Sequence, residues 1–266
     1  MPDESKKKTI IVALAVCIAC SLLVSTAEVT LRDFRYKNKK LDRIRNILKA
    51  AELPNGRDEA VKVYEERVRP LLVDLRSGKR VPISEFNDLL NIEKFDIRKL
   101  AADSQYGRSI PKGEDIAGLG RVPSYMPIYF ILDGEEIRSI VFPIVGHGIW
   151  STLYGFIALE RDLKTVRGFT IYKHGETPGL GGEVDNPRWK STWKGKQAFD
   201  EEGNLRIRVI KGNVDASRPN SAYQIEGLSG ATLTSHGVDA MVRFWLGENG
   251  YSALIERLRK DMYGYL

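Results

Sequence analysis

Cysteine is nearly absent from this 266-residue chain, and both copies, Cys17 and Cys20, fall within one uncharged run near the N-terminus. The rest of the sequence therefore offers no disulfide, no zinc–thiolate site and no thiol nucleophile. Histidine is almost as scarce: His147, His174 and His236 are widely separated and form no HExxH pair. No GxGxxG follows an apolar strand and no GxxxxGK[ST] occurs, so neither dinucleotide nor P-loop phosphate binding has its usual glycine cradle. Gly227-Leu228-Ser229-Gly230-Ala231 has alanine where a nucleophile elbow needs its last glycine, which argues against serine hydrolysis. Internal repeats and low-complexity tracts are also missing. A composition of 42% hydrophobic and 29% charged residues excludes whole-chain disorder. The formal charge of +6 comes from interleaved signs, giving no nucleic-acid footprint.

What is present begins with that uncharged run, Thr9 to Ala27, TIIVALAVCIACSLLVSTA. As a helix it is roughly 28 Å long, about the hydrocarbon thickness of a bilayer. Lys6, Lys7 and Lys8 precede it, and Ser25, Thr26 and Ala27 close it. A cleaved signal peptide shares these features, but its apolar core usually stops at about 7–15 residues, so a retained single-span anchor is the better reading. On such a helix Cys17 and Cys20 are small packing residues rather than a redox pair. Charge leaves the orientation open. Arg32, Arg35, Lys37, Lys39, Lys40, Arg43 and Arg45 outnumber the three leading lysines, yet a large domain following a span translocates largely regardless of charge.

Beyond the span, Leu41, Ile44, Ile47 and Leu48 recur at helical spacing over 38–53, and Pro54-Asn55-Gly56 ends the segment. A second helical pattern covers 58–75, with Pro70 marking a kink or early stop. From Tyr125 the chain changes to short strands rich in aromatic and β-branched residues, with Asp133-Gly134 a hairpin signal. Arg206 to Lys211 reads as a further strand. Ser235 is placed as N-cap of an amphipathic helix to Gly247, with Val238, Met241, Val242, Trp245 and Leu246 on one face. A last helix spans 253–262. The fold class is α+β: a cytoplasmic N-terminus over 1–8, one transmembrane helix over 9–27, a helical stalk over 28–100, and a mixed domain over 101–266 with its functional region at about 140–248.

Two segments carry unusual chemistry. His174 to Val184, HGETPGLGGEV, places four glycines and a proline around two glutamates, letting backbone approach a flat or anionic ligand. Glu226 to Ser235, EGLSGATLTS, puts hydroxyls and small residues before a helix, a setting suited to phosphate or to a plain capping loop.

Ser229-Gly230-Ala231-Thr232 resembles the flavinylation motif of the FMN-binding domain family. Together with NKKLDRIRNIL after the anchor, GHGIWSTLYGF (146–156), HGETPGLGGEVDNPRWK (174–190) and LSGATLTSHGVDAM (228–241), the chain resembles the C-type subunits of Na+-translocating NADH:quinone reductases. The related G-type subunits of Rnf complexes share the flavin motif, and a non-redox membrane-anchored scaffold is the alternative outside this class. The resemblance implies covalent FMN, with Thr232 esterified by its phosphate and Ser229, Gly230 and Ala231 shaping the loop seen by a flavin transferase. Glu226 stands where the wider motif commonly has aspartate. Trp150, Glu176, Thr177, Leu180 and Gly181 are implied isoalloxazine contacts, Trp150 equally readable as a core residue; Trp189 and Trp193 read as structural or interfacial. No catalytic residue and no metal site is expected. The implied role is electron relay between other subunits of an inner-membrane NADH:quinone reductase that exports Na+, inactive alone. The flavin domain would be periplasmic and the later basic residues near lipid headgroups.

Overall fold

The structure is a computed structural model that describes residues 3–265, so residues 1 and 2 of the expected 1–8 segment, and residue 266, lie outside the described residues. It divides into two compact units, Met1–Arg43 and Ile44–Leu266.

The first unit is helical. Helix α1 runs Asp3–Ala50, and its last turns belong to the second unit. No glycine or proline interrupts residues 9–53, so the separate helix expected over 38–53 is instead the end of α1. Ile10, Ile11, Val12, Leu14, Val16, Ile18, Leu22, Leu23 and Val24 are all exposed. Among the described residues this is the one helix long and apolar enough to cross a membrane. Its hydroxyls turn back onto the helix: Thr26 Oγ1 donates to the Leu22 carbonyl at 2.7 Å and Thr30 Oγ1 to the Thr26 carbonyl at 2.8 Å. Polar groups satisfied in this way suit an apolar surrounding.

The second unit begins with Ile44, Ile47, Leu48, Ala50 and Ala51 buried. Glu52 in a left-handed conformation (φ 54°) and then Pro54 turn the chain out of the helix. Helix α2 (Ala60–Arg67) stops where the expected 58–75 helix should continue, and Val68–Asp74 is strand β1. This corrects the helical reading of 28–100, which also contains a β-strand. The cause is Pro70: it cannot continue a helix but fits an edge strand, where it lies opposite Tyr129 of the strand spanning Tyr125–Asp133. Helix α3 (Ile97–Ala102) is capped by the Asp96 carboxylate, which accepts from the Arg98 and Lys99 N–H groups. Short strands β2 (Gly107–Ser109) and β3 (Arg121–Pro123) pair beside it.

The expected strands follow: β4 (Tyr125–Asp133), β5 (Glu136–His147), β6 (Thr152–Glu160) and β7 (Val166–Lys173). They form an antiparallel sheet in the order β1-β4-β5-β6-β7. Asp133-Gly134 makes the β4–β5 hairpin, with Gly134 at φ 64°. Helix α4 (Pro187–Ser191) is capped by Asn186. Strands β8 (Arg208–Ile210) and β9 (Gln224–Glu226) pair in parallel, β8 being shorter than the 206–211 alternation suggests.

Helices α5 (Thr232–Leu246) and α6 (Ser252–Lys260) close the chain. The predicted stripe of α5 (Val238, Met241, Val242, Trp245, Leu246) is buried. The helix is pinned to β5 at both backbone and side-chain level. Trp245 Nε1 donates to the Val145 carbonyl at 2.7 Å, and a Cβ on Gly146 would meet Met241 Cβ at 2.6 Å. Just beyond α5, Tyr251 donates to the Pro143 carbonyl at 2.7 Å. These contacts bring the N-terminal end of α5 to the loop joining β5 to β6.

Candidate functional site

Thr232 is the first residue of α5 and its side chain is exposed, beside an exposed turn at Ser229 and Gly230. Gly230 has φ 74°, a left-handed turn that glycine adopts without strain. Buried Ala231 occupies the N-cap position and supplies no side-chain cap. Ser235, expected as the cap, lies inside the first turns: its hydroxyl accepts from the Leu228 N–H at 2.8 Å and donates to the Ala231 carbonyl at 3.1 Å. The expected helix start is therefore corrected from 235 to 232. With its serine used to brace the preceding loop, α5 begins with no side-chain oxygen over its first N–H groups. Those groups and the helix dipole favour an anion beside Thr232.

Facing this turn is Glu176, only 5% exposed. Its Oε1 accepts from Trp150 N–H (3.1 Å), Ser151 N–H (3.0 Å) and the Ser151 hydroxyl (2.8 Å). Its Oε2 accepts from Ile149 N–H (3.2 Å) and from the Thr234 hydroxyl (2.9 Å). Burial alone would raise its pKa; the hydroxyls of Ser151 and Thr234 and the loop N–H groups outweigh that and hold it below the ordinary carboxylate value. Ser151 Oγ also accepts from the Gly175 N–H at 2.8 Å, tying the two loops together.

Glycines make this close approach feasible. A Cβ on Gly148 would lie 2.5 Å from Glu176 Oε1, and one on Gly181 would lie 2.5 Å from Thr234 Oγ1. Gly237 on α5 abuts the loop as well, since a Cβ there would sit 2.3 Å from the His147 carbonyl oxygen. Within HGETPGLGGEV, Gly181 thus serves close packing against Thr234 and Glu176.

Below Glu176 a second polar chain holds the 174–190 segment. The Glu176 N–H donates to His174 Nδ1 at 3.1 Å, which leaves the ring hydrogen on Nε2, 2.7 Å from Asp185 Oδ2. Asp185 Oδ1 also receives the buried Lys190 ammonium at 3.0 Å, and Lys190 donates to the Ile171 carbonyl at 3.1 Å. Burial pushes Lys190 below its usual pKa; burial would raise Asp185, but the bonds from His174 and Lys190 hold it low.

Thr177 is exposed, and its carbonyl accepts from the Leu180 and Gly182 N–H groups, shaping a turn that presents Leu180 outward. Leu180 reaches back to the motif, its Cδ2 lying 3.4 Å from where a Gly230 Cβ would be. Trp150 is 75% exposed, so it is not a core residue, and Ile149 and Leu233 are exposed beside it in sequence and on α5. By contrast Trp189 and Trp193 are buried. Trp193 stacks on Phe169 with centroids 4.0 Å apart, and Trp189 Nε1 donates to the Glu226 carbonyl at 2.7 Å just before the motif.

The site joins Thr232, Ser229, Gly230 and Ala231 with Glu176, Leu180, Gly181 and the Trp150 loop. Sequence reasoning did not select Ser151, Thr234, Ile149, Leu233 or the His174–Asp185–Lys190 chain. The one available signal was Thr234, a second threonine two residues after Thr232 on the same first turn. The donor set fits an FMN-like ligand: a hydroxyl at an uncapped helix N-terminus for a phosphate, and exposed apolar side chains for a flat ring.

Residues 148–247 match the model of the FMN-binding domain family. Over 97% of this chain and 98% of the relative, the sequence is 43% identical to the C subunit of the Na(+)-translocating NADH-quinone reductase of Pseudomonas aeruginosa. It is 40% identical to the protein of the same name from Yersinia pestis, over 97% of this chain and 95% of the relative. Among solved structures, the crystal structure of Shewanella oneidensis NqrC superposes with a TM-score of 0.76 at 33% identity, covering 84% of this chain and all of that one (100%).

Proposed function

The chain belongs to the NqrC family, the C subunits of Na+-translocating NADH-quinone reductases, and from this premise we propose that it is the membrane-anchored flavoprotein that relays electrons within such a complex. It works as one part of an oxidoreductase, with NADH, quinone and Na+ handled by other subunits. FMN when bound supplies one-electron chemistry at the ring, while the protein sets its position and electronics.

The site supports the following roles for this chain's residues. Thr232 Oγ would hold FMN through its phosphate, the hydroxyl losing its proton as a flavin transferase cleaves a phosphorus–oxygen bond of the flavin donor, and the exposed Ser229-Gly230 turn, backed by buried Ala231, would present that hydroxyl. The uncapped α5 N-terminus would stabilise the remaining phosphate charge. Trp150 and Leu180 are the side chains that would hold the isoalloxazine, Thr177 shapes the turn holding Leu180, and Gly181 lets that turn approach α5. The anchor crosses the bacterial inner membrane once, with residues 1–8 cytoplasmic and the flavin domain periplasmic. The basic residues from Arg32 to Lys40 would then lie toward lipid headgroups and partner subunits, whereas Arg45, whose Nε donates to the Asn55 carbonyl at 2.9 Å, belongs to the folded domain.

The observation that carries this reading is exposed Thr232 at a helix N-terminus with no side-chain cap, next to exposed Leu233 and the Leu180–Gly230 approach, and joined through Thr234 and Glu176 to the loop that bears exposed Trp150. Co-expression with a flavin transferase should give a band fluorescing under ultraviolet light after denaturing gel electrophoresis, and Thr232→Ala should abolish it. A dark wild-type band in the presence of active transferase contradicts covalent attachment.

A further inference from the structure

The buried carboxylate of Glu176 has a geometry that direct contact with a ring does not require. Three successive backbone N–H groups, from Ile149, Trp150 and Ser151, converge on it together with the Ser151 hydroxyl, all from one side. Consecutive N–H groups turned toward one point form an anion-binding concavity, and here the protein fills it with its own anion. The fifth donor, the Thr234 hydroxyl, arrives from α5, two residues beyond Thr232. Both oxygens are thereby committed: Oε1 to the loop alone, Oε2 to the loop and the helix. Gly148 and Gly181 leave no room for a side chain between these parts.

We infer that Glu176 is a positioning residue whose carboxylate clasps the Ile149–Ser151 loop to the first turn of α5, and so fixes Trp150 relative to the flavin attachment point. This rests on the assignment of Thr232 as that point. The clasp explains why Trp150 can be largely exposed and still held in one place: its backbone is anchored although its ring is not packed in the core. A carboxylate is needed because every facing group is a donor. The amide of glutamine would turn an NH2 group toward N–H groups and lose at least one acceptor.

The substitutions are Glu176→Gln, Thr234→Val and Thr234→Ser, made in the full chain. The first readout uses the chain carrying Thr232→Ala, which holds no flavin. There Glu176→Gln should raise amide hydrogen exchange at Ile149, Trp150 and Ser151 by about tenfold or more, the loss of roughly one hydrogen bond to a charged group. The second readout uses the flavin-carrying chain: visible circular dichroism of the flavin and its midpoint potential. Thr234→Val keeps the loop bonds and cuts only the bond to the helix, so it should change both signals while leaving the loop amides protected. Thr234→Ser, which restores the hydroxyl, should return them to wild type.

A merely structural glutamate would lower thermal stability and leave the flavin signals of the folded variants unchanged. Wild-type dichroism and potential in both Glu176→Gln and Thr234→Val would overturn the inference, as would unchanged exchange of the three amides in Glu176→Gln. If the wild-type chain carries no flavin, the functional reading fails, and the exchange measurement still decides whether Glu176 orders the loop.

Discussion

Replacing Gly237 by alanine sets two physical effects against each other, and the structure says which wins. Gly237 lies within α5, where alanine in place of glycine ordinarily stabilises by about 1 kcal/mol. The added methyl would stand 2.3 Å from the His147 carbonyl oxygen and 3.2 Å from Gly148 Cα. Both neighbours are backbone, and β5 is held by pairing along its length, so no flexible side chain can swing away. Overpacking of this kind costs about 1–3 kcal/mol, toward the upper end when backbone must move. Subtracting the propensity gain leaves a net loss of about 2 kcal/mol, or roughly 4–8 °C in Tm for a domain of this size. Thermal unfolding of the flavin-free chain followed by circular dichroism measures it. Gly113→Ala is the control, because nothing lies within 4 Å of a Cβ there. Gly237→Ala should also load less flavin, since relief of the clash lifts α5 from the loop bearing Trp150. A Tm equal to or above wild type would refute the close-packed helix–loop junction.

Other perturbations act on the same region. Glu176 and Asp185 both have pKa values held below the ordinary carboxylate range. The unfolded chain therefore takes up protons first as pH falls, so their stabilisation is complete above about pH 5 and is lost in more acid solution. Tm should be flat from pH 7 to about 5 and fall below it, and Glu176→Gln should flatten part of that fall. Trp189→Phe removes the indole bond to the Glu226 carbonyl and should cost about 1–2 kcal/mol in denaturant unfolding, with slower flavin attachment at the adjoining motif. Thr232→Ala changes an exposed side chain, so stability of the flavin-free protein should stay within about 0.5 kcal/mol while covalent flavin disappears.

Local patterns carried much of this structure in readable form. The uncharged run, the Asp133-Gly134 hairpin, the aromatic strands and the apolar stripe of α5 each announce themselves over a few residues. So does Ser229-Gly230-Ala231-Thr232, through its resemblance to a known motif. Where sequence reading failed, the deciding partner was distant or the local signal ambiguous. Val68–Asp74 carries apolar residues compatible with either helix or strand, and only Pro70 with a free sheet edge beside β4 resolves it. Ser235 satisfies the sequence rule for an N-cap, yet its hydroxyl braces Leu228 from inside the helix. Glu176 reads as a polar ligand in a glycine-rich loop; its partners Ile149, Trp150, Ser151 and Thr234 lie 25–58 positions away, beyond any local periodicity. Gly181 reads as one of the glycines that let backbone approach a ligand, while Gly148 and Gly237 carry no separate signal; in the fold all three mark places where backbone, a hydroxyl or a buried carboxylate comes too close for any side chain.

The proposed function stands or falls on whether Thr232 carries FMN through its phosphate. Intact-mass spectrometry of the full chain, purified after co-expression with a flavin transferase, tests it most directly. The expected increment is one FMN less one water, mapped by fragmentation to Thr232 and lost in Thr232→Ala. An unmodified mass for a folded wild-type chain made with active transferase, or the same increment on a different residue, would contradict it.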